Sequence, residues 1–391
     1  MEDFATEREN EITVFDGDKP YDSVNMENDS TKGEKEVQDL SESEKGITIL
    51  SDDESCNVVS NIEGDTTEKK NEVQNISHEE FYAEFVKSAS GFVSPELQEK
   101  LRNTKLLVAG CGSIGNPVSM LAVRSGMEHI TVADPDVVEV TNLPRQEYTF
   151  NEVGMNKAHM TAINMMTVNP YARDTLKSIP EGVTDENVEN LVANSDIIID
   201  GIDIRATDIM FKLHEFAAQY RKPVITAYDL AGTAMVSVYR YDLKEMTPLD
   251  GDMKKGTIEV FKVVKDGYKS GKITEAVFLD YINSALAGGA INPFNVPVEQ
   301  YEQLVHKEED TTFTPQLGTT ARLVSALTME TIKNVLNGDE VKEVIAIDLP
   351  SSVRKHNPSI LRKVALMLET LKVIKSRAMK VKETLKRNKL I

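Results

Sequence analysis

The sequence predicts an α/β protein, a mostly parallel sheet with helices on both faces, preceded by a disordered acidic tail. Three observations lead there. From residue 105 onward, short apolar runs alternate with stretches of helical periodicity, the pattern of a parallel sheet covered on both faces. A glycine cluster, Gly110-Cys111-Gly112-Ser113-Ile114-Gly115, separates the first apolar run from the first of these helical stretches. Finally, residues 1–80 hold 24 acidic and 7 basic side chains, a net of −17 out of −20 for the 391-residue chain. The acidity belongs to the tail, and the rest is close to neutral.

Residues 1–78 are rich in Glu, Asp, Ser, Asn and Thr. Such a segment cannot bury enough apolar surface to offset its ordering entropy, so it is expected to be disordered. Two short runs stand out, Ile12-Thr13-Val14-Phe15 and Ile47-Thr48-Ile49-Leu50, each followed by acids. They read either as chance apolar residues or as peptides that add to a sheet edge. The first ten residues are acidic, unlike a secretory signal, and no apolar stretch reaches membrane-spanning length. Two cysteines, Cys56 and Cys111, exclude a disulfide scaffold or a four-thiolate zinc site and fit a reducing cytoplasm.

Order is expected from residue 79. Residues 79–88 read as a helix, and Ser94-Pro95-Glu96-Leu97 reads as an N-cap with proline in the first turn of the next. Strands are predicted at 105–109, 130–134, 196–200, 223–227 and 234–240. Helices are predicted at 114–125, 155–167, 184–193 and 206–220. Residues 244–312 break the rhythm and read as an insertion or substrate subdomain over the active site. A helix at 317–336 should stop at Asn337-Gly338, before a strand at 344–348. Residues 351–391 form a C-terminal segment with apolar residues at 361, 364, 368, 371, 374, 378, 381 and 385, a helical stripe. Its last 31 residues carry ten Lys or Arg against two Glu. That basic face is either simply solvated or covers an acidic segment.

The glycine cluster is a G-x-G-x-x-G between strand and helix, the arrangement of a Rossmann-like nucleotide site. Gly110 permits the tight turn, Gly112 lets a phosphate approach the backbone, and Gly115 lets helix and strand pack closely. Asp134 ends the second strand, nineteen residues beyond Gly115, where a carboxylate suits ribose hydroxyls. Up to this point an NAD-dependent oxidoreductase and an ATP-using enzyme read alike.

The next segment separates them. Asp134-Pro135-Asp136-Val137-Val138-Glu139-Val140-Thr141-Asn142-Leu143-Pro144-Arg145-Gln146, then Gly154 and Lys157, resembles the ATP signature of the ThiF/MoeB/HesA family. The likeness covers roughly residues 80–350, including Glu96-Leu97-Gln98-Glu99-Lys100-Leu101 before the first strand and Thr314-Pro315-Gln316-Leu317-Gly318 before the late helix. It implies an adenylyltransferase that uses ATP and Mg²⁺. Arg145 and Lys157 are then catalytic cations on the triphosphate. Asn142 and Gln146 are neutral nucleotide contacts, alongside Gly110, Gly112, Gly115 and Asp134. Asp203, just past the apolar run Ile197-Ile198-Ile199-Asp200, matches the family's magnesium ligand. Asp200 reads as a residue behind it.

The resemblance further implies a peptide or small-protein substrate with a free carboxylate, and a homodimer or a dimer with a related subunit. It points to neither a membrane nor nucleic acid as partner. Two departures keep a second reading open, a catalytically impaired scaffold subunit beside an active enzyme. Ser88-Ala89 stands where one branch has Arg-Asn, with Lys87 as a substitute cation. Asp208 and Lys212 stand where Arg and Asn are usual, with Arg205 able to compensate in a shifted register. Residues 244–312 contain no cysteine, so no enzyme-bound thioester is expected, and the absence of C-x-x-C argues against structural zinc.

Overall fold

The computed structural model describes residues 76–251, 255–286, 293–307 and 315–391. The two apolar runs of the tail, Cys56 and Thr314 lie outside the described residues.

The first described helix, α1 (His78–Val86), starts at a capping box in which Ser77 and Glu80 exchange hydrogen bonds. Ser94 caps α2 (Pro95–Asn103) by accepting from Leu97 N, with Pro95 in the first turn. Seven strands follow with intervening helices: β1 (Lys105–Ala109), α3 (Gly115–Arg124), β2 (His129–Ala133), α4 (Lys157–Val168) and β3 (Lys177–Ile179). Next come α5 (Val188–Ala193), β4 (Ile197–Asp200), α6 (Thr207–Gln219), β5 (Val224–Leu230) and β6 (Thr233–Tyr239). The chain continues through α7 (Lys255–Lys269), α8 (Glu275–Leu286), α9 (Val298–His306) and α10 (Gly318–Asn337). It closes with β7 (Val344–Asp348), α11 (Leu349–Val353) and α12 (Ile360–Arg387). Gly338, at φ 83°, stops α10 in the left-handed conformation expected of it.

The sheet order is β3-β2-β1-β4-β5-β6-β7. The pairs among β3, β2, β1, β4 and β5 are parallel, whereas β6 and β7 add antiparallel. The chain builds outward from β1 through β2 to β3, then returns to place β4 on the other side. That reversal leaves a crevice beyond the carboxyl ends of β1 and β4, where ligands bind in such sheets. One face packs Val118, Ala158, Met165 and Val324, and the other packs Val188, Phe211 and Leu213, so helices do cover both faces. No helix among the described residues is long and apolar enough to cross a membrane.

The 244–312 region holds α7, α8 and α9. Phe261, Phe278 and Ile282 there share a separate apolar cluster with Val381 and Leu385 of α12. The predicted stripe on α12 is buried at its C-terminal end, at Val381 and Leu385, and exposed at its start. Leu361, Leu368 and Leu371 are exposed, and the buried positions are Thr370, Val381 and Leu385. The helix has apolar residues on more than one face, and periodicity cannot say which face finds a partner.

Behind the crevice Asp200 is sealed. Its Oδ2 accepts from Thr226 Oγ1 at 3.1 Å and lies 3.3 Å from His214 Nε2. His214 Nδ1 is 2.9 Å from Tyr241 Oη, which also accepts from Leu249 N. With the Tyr241 hydroxyl donating to Nδ1, the Nε2–H faces the carboxylate. Removing that donor leaves a sealed carboxylate short of a hydrogen bond and opens a cavity beside it. His214→Ala should therefore lower unfolding free energy by about 3 kcal/mol, read as a reduced urea midpoint.

Candidate active site

The glycines after β1 have three different surroundings. A Cβ on Gly110 would stand 2.2 Å from Gly201 O, and Gly110 has φ +96°. A Cβ on Gly115 would stand 1.8 Å from Gly110 O and 2.8 Å from Val108 Cγ1. A Cβ on Gly112 would meet nothing within 4 Å. Gly110 and Gly115 are thus required by packing, and Gly112 faces open space at the start of α3. Free N–H groups at that helix start suit an anion.

The loop is held from below. Cys111 N donates to Asp134 Oδ2 at 2.6 Å, and Asp136 N donates to Asp134 Oδ1 at 2.8 Å. Burial raises the Asp134 carboxyl above its ordinary value, while these two backbone donors pull it back. A buried chain of side chains then ties the loop to α4. Asn116 Nδ2 donates to Thr161 Oγ1 at 3.1 Å, and Thr161 Oγ1 is 2.9 Å from Tyr148 Oη. Tyr148 Oη in turn lies 2.9 Å from Cys111 O and 3.1 Å from Lys157 O. Lys157, largely buried, pairs with Asp136 at 3.0 Å. Asn116, Tyr148 and Thr161 are not visible in the sequence as site residues, because only the fold brings them together.

The 139–146 turn is shaped by Asn142, whose Oδ1 accepts from Glu139 N at 2.9 Å. Its carbonyl accepts from Gln146 N at 2.9 Å. The buried Gln146 Oε1 has no hydrogen-bond partner among the described residues. Arg145 donates through Nε to Gln316 Oε1 at 2.7 Å and through Nη1 to Thr141 O. A Cβ on Gly318 would stand 2.4 Å from Pro144 O, so the start of α10 sits tightly against this turn. Burial lowers the Arg145 pKa, and the charges of Asp229 and Glu139 oppose that.

The sequence matches the model of the ThiF family over residues 86–359. The chain belongs to the ThiF family. Among curated relatives, the sulfur carrier protein adenylyltransferase of Thermus thermophilus is 30% identical over 150 residues, 38% of this chain and 54% of that protein. The adenylyltransferase and sulfurtransferase MOCS3 of Drosophila virilis is 30% identical over 145 residues, 37% of this chain and 31% of its own length. The chain thus spans from slightly under a third to about half of these relatives. A crystal structure of PaaA aligns with 74% of this chain and 82% of its own, at 18% identity and a TM-score of 0.46.

Where this ThiF chain departs from the expected pattern, the side chains are engaged elsewhere. Lys87 pairs with Glu84 at 2.9 Å on the surface. Asp208 holds Lys265 at 2.6 Å, and Lys212 holds Asp185 at 2.6 Å. Arg205 does reach Asp203, at 3.4 Å, and also Glu275 of α8 at 3.0 Å. Asp203 itself is 60% exposed at its side chain and accepts from Arg205 N at 2.8 Å. Cys111 is fully buried, and burial together with the Asp134 charge pushes its thiol well up.

Asp229, at the far end of β5, has no signal in the sequence. Neither of its buried carboxylate oxygens has a hydrogen-bond partner among the described residues. Burial raises its pKa from 3.8 to about 6, with Thr320 and the Arg145 charge offsetting part of the effect.

These surroundings make Gly112 and Gly115 respond differently to the same substitution. Gly112→Ala should change stability by no more than about 0.5 kcal/mol while weakening ATP binding about tenfold. Gly115→Ala should cost about 3 kcal/mol of stability. Calorimetric ATP titration beside urea unfolding separates the two effects. For Asp229, the native state holds its proton more tightly than the unfolded chain does. Its contribution is therefore favourable below the unfolded value and is lost as pH rises through about 6. Asp229→Asn should be more stable than the parent by about 2 kcal/mol at pH 8 and show little gain at pH 4, by urea unfolding at both.

Proposed function

We propose that this protein uses ATP to adenylate a carboxylate, the C-terminal carboxylate of a peptide or small protein. A carboxylate oxygen attacks the α-phosphorus, the bond to the bridging oxygen breaks, and its electron pair leaves with pyrophosphate. The product is an acyl-adenylate for a later amine or sulfur acceptor. No side chain is needed as a base, because the attacking carboxylate is already ionised at neutral pH. The work left to the protein is positioning and charge stabilisation.

The observation that carries this reading is the brace formed by Tyr148. One hydroxyl lies within hydrogen-bond distance of carbonyls in both the glycine loop and the first turn of the helix bearing Lys157. It fixes an open anion site and a cation-bearing helix relative to each other before substrate arrives. Gly112 offers the backbone approach, and Arg145, set by Gln316, offers a planar fork of donors. Asp134 suits the ribose, with Gly110, Gly115, Asn142 and Gln146 shaping the nucleotide pocket. Asp203 is a solvent-facing carboxylate beyond the end of β4, and Mg²⁺ needs only one or two such ligands beside phosphate oxygens. Asp203 would hold the ion, whose charge would help neutralise the departing pyrophosphate.

A relative named as a sulfur carrier protein adenylyltransferase supports a small-protein substrate. The sealed, high-pKa thiol of Cys111 supports transfer without an enzyme-bound thioester. A second reading, a scaffold subunit beside an active enzyme, is favoured by the engagement of Lys87, Asp208 and Lys212 elsewhere. A dimer with a related chain would supply the cation that Ser88-Ala89 lacks, and a homodimer would have to supply it from another position.

Exchange of labelled pyrophosphate into ATP, driven by peptides with varied C-termini, tests the reading. Asp203→Ala and Arg145→Ala should each abolish exchange while leaving thermal unfolding close to the parent's. Full exchange by the Asp203 variant at limiting magnesium would remove that residue from the mechanism. Exchange that appears only after a related chain is added would favour the scaffold reading. Sedimentation should find a dimer at working concentration, and a competent monomer would overturn that part.

A further inference from the structure

Asp229 is the group at the edge of the crevice that the adenylation step leaves unused, and a role for it rests on the adenylating reading. It lies three residues beyond Thr226, which pairs with Asp200 at the end of β4, so β5 runs on past its parallel neighbour. Its carboxylate oxygens are shielded from solvent and accept no hydrogen bond from the described residues. Thr320 Oγ1, nearby on α10, accepts from Gly232 N at 2.8 Å, and its hydroxyl proton stands close enough to the carboxylate to lower the Asp229 pKa. Arg145 is close enough for its charge to be felt, yet its guanidinium is directed to Gln316 and Thr141. A buried carboxylate with no donor is costly, and such groups call for a partner. One hydroxyl proton serves at most one of the two oxygens, so a donor is still missing among the described residues.

The order of strands says where that donor comes from. Along the carboxyl edge stand β2 with Asp134, β1 with the glycine loop, β4 with Asp203, and then β5 with Asp229. Neighbouring strands lie about 4.8 Å apart, so β5 is about 10 Å from β1, on the side away from Asp134. With ribose at Asp134 and phosphates over the glycine loop, the acyl chain leaves the α-phosphate toward β4 and β5. One extended residue spans about 3.5 Å and a hydrogen bond about 2.9 Å, which covers most of the remaining distance.

We infer that Asp229 accepts a hydrogen bond from an N–H group on the carbon next to the activated carboxyl. That group is the ammonium of a free amino acid or the amide of a peptide terminus. Asp229 is then a specificity residue for the acyl half of the site, and a carboxylic acid without the nitrogen is discriminated against. An anionic acceptor makes the stronger hydrogen bond, which is why a carboxylate serves there better than an amide.

Non-hydrolysable acyl-sulfamoyl adenosines test this without the natural substrate. Glycyl, N-acetylglycyl and propionyl forms carry, in turn, an ammonium, an amide N–H and no nitrogen. In calorimetric titrations of the full chain, at least one nitrogen-bearing form should bind about tenfold more tightly than the propionyl form. Which form wins distinguishes a free amino acid from a peptide terminus. Asp229→Leu, which has no acceptor, should bring all three within about twofold while binding the propionyl form as the parent does. Asp229→Asn, nearly the same shape, should fall between. Equal binding of all three by the parent would overturn the role of Asp229 and leave adenylation standing. Loss of propionyl binding in both variants would make Asp229 a structural residue and also overturn it. If none of the three binds the parent better than AMP, the adenylating reading itself fails.

Discussion

The site depends on one steric constraint, the near-contact of three backbone segments that leaves no room for a Cβ. Gly110 lies against Gly201, and Gly115 lies against Gly110, so the ends of β1 and β4 and the start of α3 meet at backbone distance. This contact sets the crevice at the point where the strand order reverses. Asp134 then fastens the loop through Cys111 N, and Tyr148 connects it to α4. A larger residue at Gly110 or Gly115 would move the loop and everything these bonds hold to it.

Much of this is legible in the sequence, for reasons that differ by residue. The glycines can be assigned separate duties because a strand–loop–helix turn imposes them in a fixed order. Arg145, Lys157 and Asp203 can be picked out because they follow a family pattern, and the structure ties the first turn of the helix bearing Lys157 to the loop through Tyr148. The Asn116–Thr161–Tyr148 chain is not legible, since its members are polar residues whose relation exists only once α3 and α4 pack. Asp229 is hidden for a different reason. An acid in a strand reads as solvent-facing until the start of α10 is known to cover it. The three-residue β3 is too short to carry an alternation, and the exposed leucines of α12 show that a stripe identifies a helix but not its buried side.

The electrostatics of the crevice are more economical in cations than the family pattern leads one to expect. Of the positive groups near the strand ends, Lys157 pairs with Asp136 and Arg205 with Asp203 and Glu275. Such pairs hold the cations in place and also offset the charge an incoming triphosphate would meet. On the adenylating reading, Asp136 and Glu275 must then release or share their partners as ATP arrives. The two acids are partly exposed, Asp136 67% and Glu275 36% accessible at the side chain, so each can turn to solvent when a phosphate claims its cation. Asp200 and His214 behave oppositely. Sealed and mutually satisfied, they take no part in any exchange and serve as the fixed floor on which Asp203 is mounted.

The same contrast orders the carboxylates along the strand ends. Asp134 is buried and satisfied by backbone N–H groups, so it shapes the loop whether or not a ligand is present. Asp203 is exposed and lightly paired, which suits an ion that comes and goes with its phosphates. Asp229 is buried and unsatisfied among the described residues, and only that combination stores a demand for a donor. A surface acid would lose little by staying solvated, and a satisfied one depends less on a ligand, with only its second lone pairs left to offer. On the adenylating reading, selectivity for what binds beside the phosphates would fall to Asp229, while Asp134 and Asp203 would serve the nucleotide.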